Sequence, residues 1–156
     1  MSAIISDFEE YIIQIGVNAF YANKKPYEKT GQFLLTAWLY RFVEGGKGAL
    51  RYEMPTGLGR IMDIFLTYRG RKYIIETKIN RANIEKTIDR AVERICGKYL
   101  LTEMVEEGYV VVFDVKTHVG EVREPQNRML EGKEVLIFEI GIGRDWRGEN
   151  LSRKMT

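Results

Sequence analysis

Two short segments of this chain carry side chains suited to phosphate chemistry: Asp63, and the run Glu76-Thr77-Lys78. Between them Arg69-Gly70 reads as a tight hairpin turn. If Tyr68 faces Arg71 across it, the pairing sets Asp63 opposite Glu76. Side chains alternate along a strand, so one hairpin face carries Met62, Ile64, Leu66, Tyr73, Ile75, Thr77 and Ile79. The other carries Asp63, Phe65, Ile74, Glu76 and Lys78. Facing carboxylates repel by ~0.2–1 kcal/mol on a surface, and by more where water is scarce. A cation between them removes that cost, and oxygen ligands favour Mg²⁺ or Mn²⁺ over zinc. Lys78 shares the face of Glu76; beside a metal, a lysine orients or activates water and offsets charge on a phosphate. Acid, acid and lysine together are the equipment of phosphodiester hydrolysis. The plainer reading is a solvated hairpin on which Lys78 merely neutralises Glu76. Phe65 and Ile74 on the same face weigh against it, and Glu53 on the preceding strand offers a third carboxylate.

The elements that must position these residues are legible from periodicity. Residues 6–21 read as a first helix, with Phe8, Ile12, Ile15 and Ala19 on one face. A second helix spans 27–43, its stripe formed by Leu34, Leu35, Trp38, Leu39 and Phe42, and Gly45-Gly46 stops it. A strand at 50–54, a bend at 55–59 and the hairpin strands 60–67 and 72–79 follow. A long amphipathic helix is expected over 83–107, then a buried strand at 109–115, a polar loop containing Pro125, and a last strand at 133–142. The order predicts an α/β fold with a mixed central sheet flanked by helices, a helical crossover joining two of its strands. The 156 residues read as one domain, with no linker or repeat, and with a polar tail at 144–156 that is loosely ordered apart from Trp146.

Composition narrows the chemistry. One cysteine, Cys96, excludes an intrachain disulfide and a cysteine-rich zinc site, and one histidine, His118, excludes a multi-histidine metal site. Carboxylates and lysines must therefore do the work of any enzyme here. A net charge of +2 neither demands nor excludes a nucleic-acid partner; a local basic patch has to supply the attraction. With no signal-like start and no long apolar run, the expectation is a cytoplasmic protein without a membrane partner.

The run Glu53-Met-Pro-Thr-Gly57-Leu-Gly59-Arg60-Ile-Met-Asp63-Ile64, with Tyr73-Ile-Ile-Glu76-Thr-Lys78-Ile79 after it, resembles the PD-(D/E)XK nuclease superfamily. More narrowly, it is similar to the nuclease-like domain associated with AAA-type ATPases. The resemblance extends from Gly31-Gln-Phe-Leu-Leu-Thr-Ala-Trp-Leu-Tyr40-Arg41-Phe-Val43 to Gly108-Tyr-Val-Val-Val-Phe-Asp114, over half the chain. It implies a restriction-endonuclease-like αβββαβ core, to which the first helix is an addition, and metal-dependent cleavage of nucleic acid. Asp63 and Glu76 would ligate Mg²⁺ or Mn²⁺, with the Thr77 carbonyl as a backbone ligand and Glu53 joining directly or through water. Lys78 would position the attacking water. Many members carry a further glutamate on the helix before the sheet: Glu28 answers to it if that helix points its first turn at the site, whereas Glu44 lies at the wrong end. The glutamine often offered by the following helix is missing from Arg94-Ile-Cys-Gly-Lys98-Tyr99.

Arg90, Arg94 and Lys98 recur every four residues and form a basic stripe, either a grip on a phosphate backbone or a solvated face paired with Asp89, Glu93 or Glu106. Arg60 stands as well placed to pair with a carboxylate as to touch phosphate, and Arg81 and Lys86 extend a basic rim. The expected activity is endonucleolytic, on DNA in preference to RNA. Cutting both strands is simplest with two copies of the site, hence a homodimer, and without an ATPase motif any motor must be a separate ATPase partner. The alternative is a non-catalytic nucleic-acid-binding or partner-docking module that keeps the fold.

Overall fold

The computed structural model describes residues 1–15, 17–21, 26, 28–55, 61–95, 105, 107–130 and 132–143, and the side chains of all of these except 53–55, 61, 62 and 130. In chain order the elements are α1 (Ser2–Ile15), a short 3-10 helix (Asn18–Tyr21), α2 (Glu28–Val43), β1 (Gly48–Pro55), β2 (Ile61–Tyr68) and β3 (Arg71–Asn80). Then come α3 (Ile84–Arg94), β4 (Glu107–His118), β5 (Gln126–Leu130) and β6 (Lys133–Gly143). One mixed six-stranded sheet runs β1-β2-β3-β4-β6-β5, parallel across β3, β4 and β6 and antiparallel elsewhere.

The sheet separates two apolar layers. Tyr73 and Ile75 of β3, Tyr109, Val111 and Phe113 of β4, and Phe138, Ile140 and Ile142 of β6 face α1 and α2, whose Ile5, Phe8, Ile12, Leu35 and Leu39 are buried against them. The alternate residues Ile74, Val110, Val112, Val135 and Ile137 face Ile88, Ala91 and Val92 of α3, with Phe65 packed alongside. That is why β4 reads as an unbroken apolar run: as a central parallel strand it is covered on both sides. The hairpin face bearing Glu76 is therefore the floor of a second core.

Two backbone features fix the frame around the site. Arg69 and Gly70 both have positive φ, 51° and 78°, the geometry of a two-residue hairpin turn that a glycine makes easy at the second position. At Gly31, α2 lies so close to the sheet that an added Cβ would collide with the ring of Phe113, itself packed against Phe8 and Phe20. Gly31→Ala should therefore cost about 1–3 kcal/mol through overpacking, read as a lowered urea midpoint at unchanged slope.

Several expected boundaries shift. The first helix starts at Ser2, because Ile4, Ile5 and Phe8 already carry its apolar face, and it ends at Ile15, with a separate 3-10 turn after it. The helix after the hairpin stops short of the predicted 107: Val105 is buried outside any helix, and Glu107 already pairs with Tyr73. The expected loop around Pro125 runs into β5, whose five residues pair with β6. Trp38 is a packing residue, stacked on Tyr11 and donating its indole N–H to the Ile4 carbonyl. Cys96, Gly57, Gly59 and the tail with Trp146 lie outside the described residues.

Candidate active site

The β2–β3 ladder follows the expected register from Tyr68↔Arg71 to Ile64↔Ile75 and records no pair beyond it. Where the next pair would fall, the Asp63 carboxylate takes the place of a ladder partner: its Oδ2 accepts from the Thr77 backbone N–H at 2.8 Å and from the Thr77 hydroxyl at 3.1 Å. On the other side, Gln32 of α2 donates its amide to the Asp63 carbonyl at 3.2 Å. Asp63 is thus held by three hydrogen bonds. Glu53 falls on β1 between the pairs Tyr52↔Ile64 and Met54↔Met62, at the level of Asp63. Its side chain, with Arg60 and Lys98, lies outside the described residues.

Glu76 is fully buried, and among the described residues neither of its carboxylate oxygens has a hydrogen-bond partner. Two cations stand nearby: Lys78 Nζ at 3.2 Å and Arg94 Nη1 at 3.5 Å from Oε1. The Lys78 contact is ion-pair proximity without hydrogen-bond alignment. Burial first, and then the charge of Asp63, push the Glu76 carboxyl up to about 7, outweighing both cations. Lys78 shows the complementary effect. Burial alone would lower its ammonium, but Glu76 and Glu28 hold it above its usual value. It is therefore a charged donor at neutral pH, unable to act as a base as it stands.

The first turn of α2 does point at this cluster. Glu28 lies 3.8 Å from Lys78 Nζ, and its own carboxyl is raised by burial against the pull of Lys78, with Asp63 adding to the rise. Arg81 helps set this approach by donating to the Pro26 carbonyl at 2.5 Å, tying the chain just before α2 to the end of β3. Glu44 sits in the exposed turn at the opposite end of the helix. Among the described residues, Asp63, Glu76 and Glu28 share one electrostatic neighbourhood with Lys78 and Arg94.

The basic stripe resolves differently at each position. Arg94 reaches Glu76. Arg90 is exposed and has no ion pair among the described residues. Of the acids expected to neutralise the stripe, Asp89 is held by Arg128 of β5 at 3.0 Å, Glu93 is exposed, and Glu106 lies outside the described residues. His118 is exposed at the end of β4, away from the cluster's contacts, and Lys86 is exposed on α3.

A buried polar network went unnoticed in the sequence. Asp114, almost fully buried, accepts from Asn80 Nδ2 at 2.9 Å, the Lys116 N–H at 3.0 Å and the Thr117 hydroxyl at 2.8 Å. Asn80 in turn accepts from Thr87 of α3 at 3.3 Å. The network ties the ends of β3 and β4 to α3, two residues beyond Lys78. Asp114→Ala strands three donors and should cost roughly 3 kcal/mol in urea unfolding. The one sequence signal was an acid within an otherwise apolar strand.

Among the described residues, no group of three or more His, Cys, Asp or Glu side chains is gathered tightly enough to hold a metal ion, and no helix is long and apolar enough to cross a membrane. The chain matches no protein-family model and no curated protein.

Proposed function

We propose that this chain is a divalent-metal-dependent nuclease of the PD-(D/E)XK type, hydrolysing nucleic-acid phosphodiesters, DNA in preference to RNA. The observation that carries the reading is Glu76: a fully buried carboxylate with no hydrogen-bond partner among the described residues, under the charge of Asp63 and flanked by Lys78 and Arg94. Buried polar groups are nearly always hydrogen-bonded, and an exception asks for a missing partner. Asp63 and Glu76, with Glu28 or Glu53 in support, would offer the all-oxygen donors that Mg²⁺ or Mn²⁺ prefers. Support also comes from the run α2-β1-β2-β3-α3-β4, which follows the αβββαβ order of that superfamily.

In this reading Thr77 orients Asp63, and its carbonyl would serve as a backbone ligand. When bound, the ion supplies Lewis-acid polarisation of the phosphoryl oxygen and lowers the pKa of water. Lys78, held protonated by Glu76 and Glu28, donates to the attacking water or to a phosphate oxygen. Arg90 and Arg94 contact phosphates, and Arg60 and Lys98 extend that surface. A homodimer would present two such sites to a duplex, and a separate ATPase would supply any motor.

Purified protein with Mg²⁺ or Mn²⁺ should cut at least one of supercoiled, linear, single-stranded or branched DNA, and chelation should abolish the cutting. The scarcity of ligands among the described residues favours a second reading, a non-catalytic nucleic-acid-binding module. Titration with Mn²⁺ separates the two: thermal stabilisation that vanishes in Glu76→Ala supports the enzyme, and its absence in the wild type supports the module.

A further inference from the structure

We propose that Phe33 of α2 and Tyr52 of β1 form a stacking platform for an unpaired nucleobase. The strand cut at the site is then single-stranded, or locally opened where it enters. The choice of nucleic acid rests on the nuclease reading above. Phe33 is 59% and Tyr52 49% exposed, and their rings meet edge to face, with centroids 6.4 Å apart and planes at 66°. Single exposed aromatics are common and ask for no explanation. Two in contact are different, because the edge-to-face contact holds both rings in place and still leaves ring surface to solvent. The same face of β1 buries Leu50, two residues earlier, and leaves Tyr52 half open. Tyr40, seven residues after Phe33 and so on the same side of α2, extends the exposed aromatic strip.

The position of the two rings selects their occupant. Gln32, the neighbour of Phe33, donates to the Asp63 carbonyl, and Tyr52 pairs across the ladder with Ile64, the neighbour of Asp63. Glu28 of the same helix stands 3.8 Å from Lys78 Nζ. From Glu28 to Phe33 the helix rises about 7.5 Å, the span of roughly two nucleotides at ~3.4 Å each. A strand with its phosphodiester at the cluster therefore carries a neighbouring base to the rings. Arg51, exposed and without an ion pair among the described residues, precedes Tyr52 on the edge strand, and Arg41, also exposed, follows Tyr40. Cations beside aromatic surface suit a polyanion that carries flat bases better than they suit an apolar protein face. Bases inside a duplex are stacked on one another, so the platform takes an unpaired one.

The test measures binding of a labelled oligonucleotide by fluorescence anisotropy, on the intact chain, in EDTA and at fixed salt. Its arms are a single strand, the blunt duplex of the same sequence, and single strands with one abasic site moved along them. Phe33→Ala and Tyr52→Ala should each weaken the single strand about 5- to 150-fold and leave the duplex unchanged. Phe33→Trp should keep the binding; Phe33→Leu, apolar but without a π face, should lose it. One abasic position should weaken the wild type and add no further loss in Phe33→Ala. Both rings are exposed, and thermal melts establish that the variants are folded. Unchanged single-strand affinity in either alanine variant, an equal loss on the duplex, or wild-type binding by Phe33→Leu overturns the platform. So does an abasic scan with no sensitive position, or a wild type that binds no strand at all. A wild type that sediments as a dimer, split by Phe33→Ala, also overturns it, since the rings then cover a second copy of the chain. The nuclease reading fails separately: a chain that binds through the rings yet cuts nothing with Mg²⁺ or Mn²⁺ loses that reading and keeps this one.

Discussion

Asp63→Asn should lower DNA cleavage by at least about 10²–10³-fold, in a protein that melts no lower than the wild type. The substitution keeps an oxygen to accept the Thr77 N–H, so the local scaffold survives. It removes the negative charge that bears on Glu76, which relieves a repulsion in the resting protein. Loss of activity without loss of stability is the signature of a residue placed for chemistry at some expense to the fold. Cleavage rates for Asp63→Asn equal to wild type would exclude Asp63 from the centre. An equal fall in melting temperature and activity would make its role structural.

The second large effect is on stability and its pH dependence. Glu76→Gln should stabilise the metal-free protein near pH 8 by about 1–3 kcal/mol, an advantage that shrinks as the pH falls towards 5. The sign follows from proton counting. The folded Glu76 carboxyl titrates at about 7, its unfolded counterpart at 4.5, so between those values the folded state binds the extra proton. Wild-type stability therefore rises as pH falls from about 7 towards 4.5, and the whole shift corresponds to roughly 3 kcal/mol. Glu9, also pushed up to about 7 by burial, adds a same-signed slope to wild type and variant alike and cancels in the difference. Urea melts across that range measure the effect. A Glu76→Gln variant less stable than wild type at pH 8 would mean that Lys78 and Arg94 satisfy the carboxylate after all.

How far the sequence could reach depends on the range of the interaction. The hairpin was legible because its determinants are local: Arg69-Gly70 sets the turn, and strict alternation from Tyr73 to Ile79 sets the faces. The α/β class followed from the same periodicities. The end of the ladder at Ile64↔Ile75 was not legible, since it depends on Asp63 and Gln32 meeting across a helix–sheet interface. Glu28 was readable only as a conditional candidate; which way α2 presents its first turn is settled by the close approach at Gly31. The Arg94–Glu76 contact joins residues 18 apart from opposite ends of a crossover, and no local pattern announces it. β5 was lost because its five residues alternate only weakly and its partner is the strand that follows.

The function proposed for this protein depends on the buried Glu76 carboxylate sharing an ion with Asp63. A crystal grown or soaked with Mn²⁺ and measured at the manganese absorption edge tests this directly. An anomalous peak is expected at inner-sphere distance, roughly 2.0–2.2 Å, from a carboxylate oxygen of each residue. A map with no such peak, and Glu76 still flanked by Lys78 and Arg94 at saturating Mn²⁺, would contradict it.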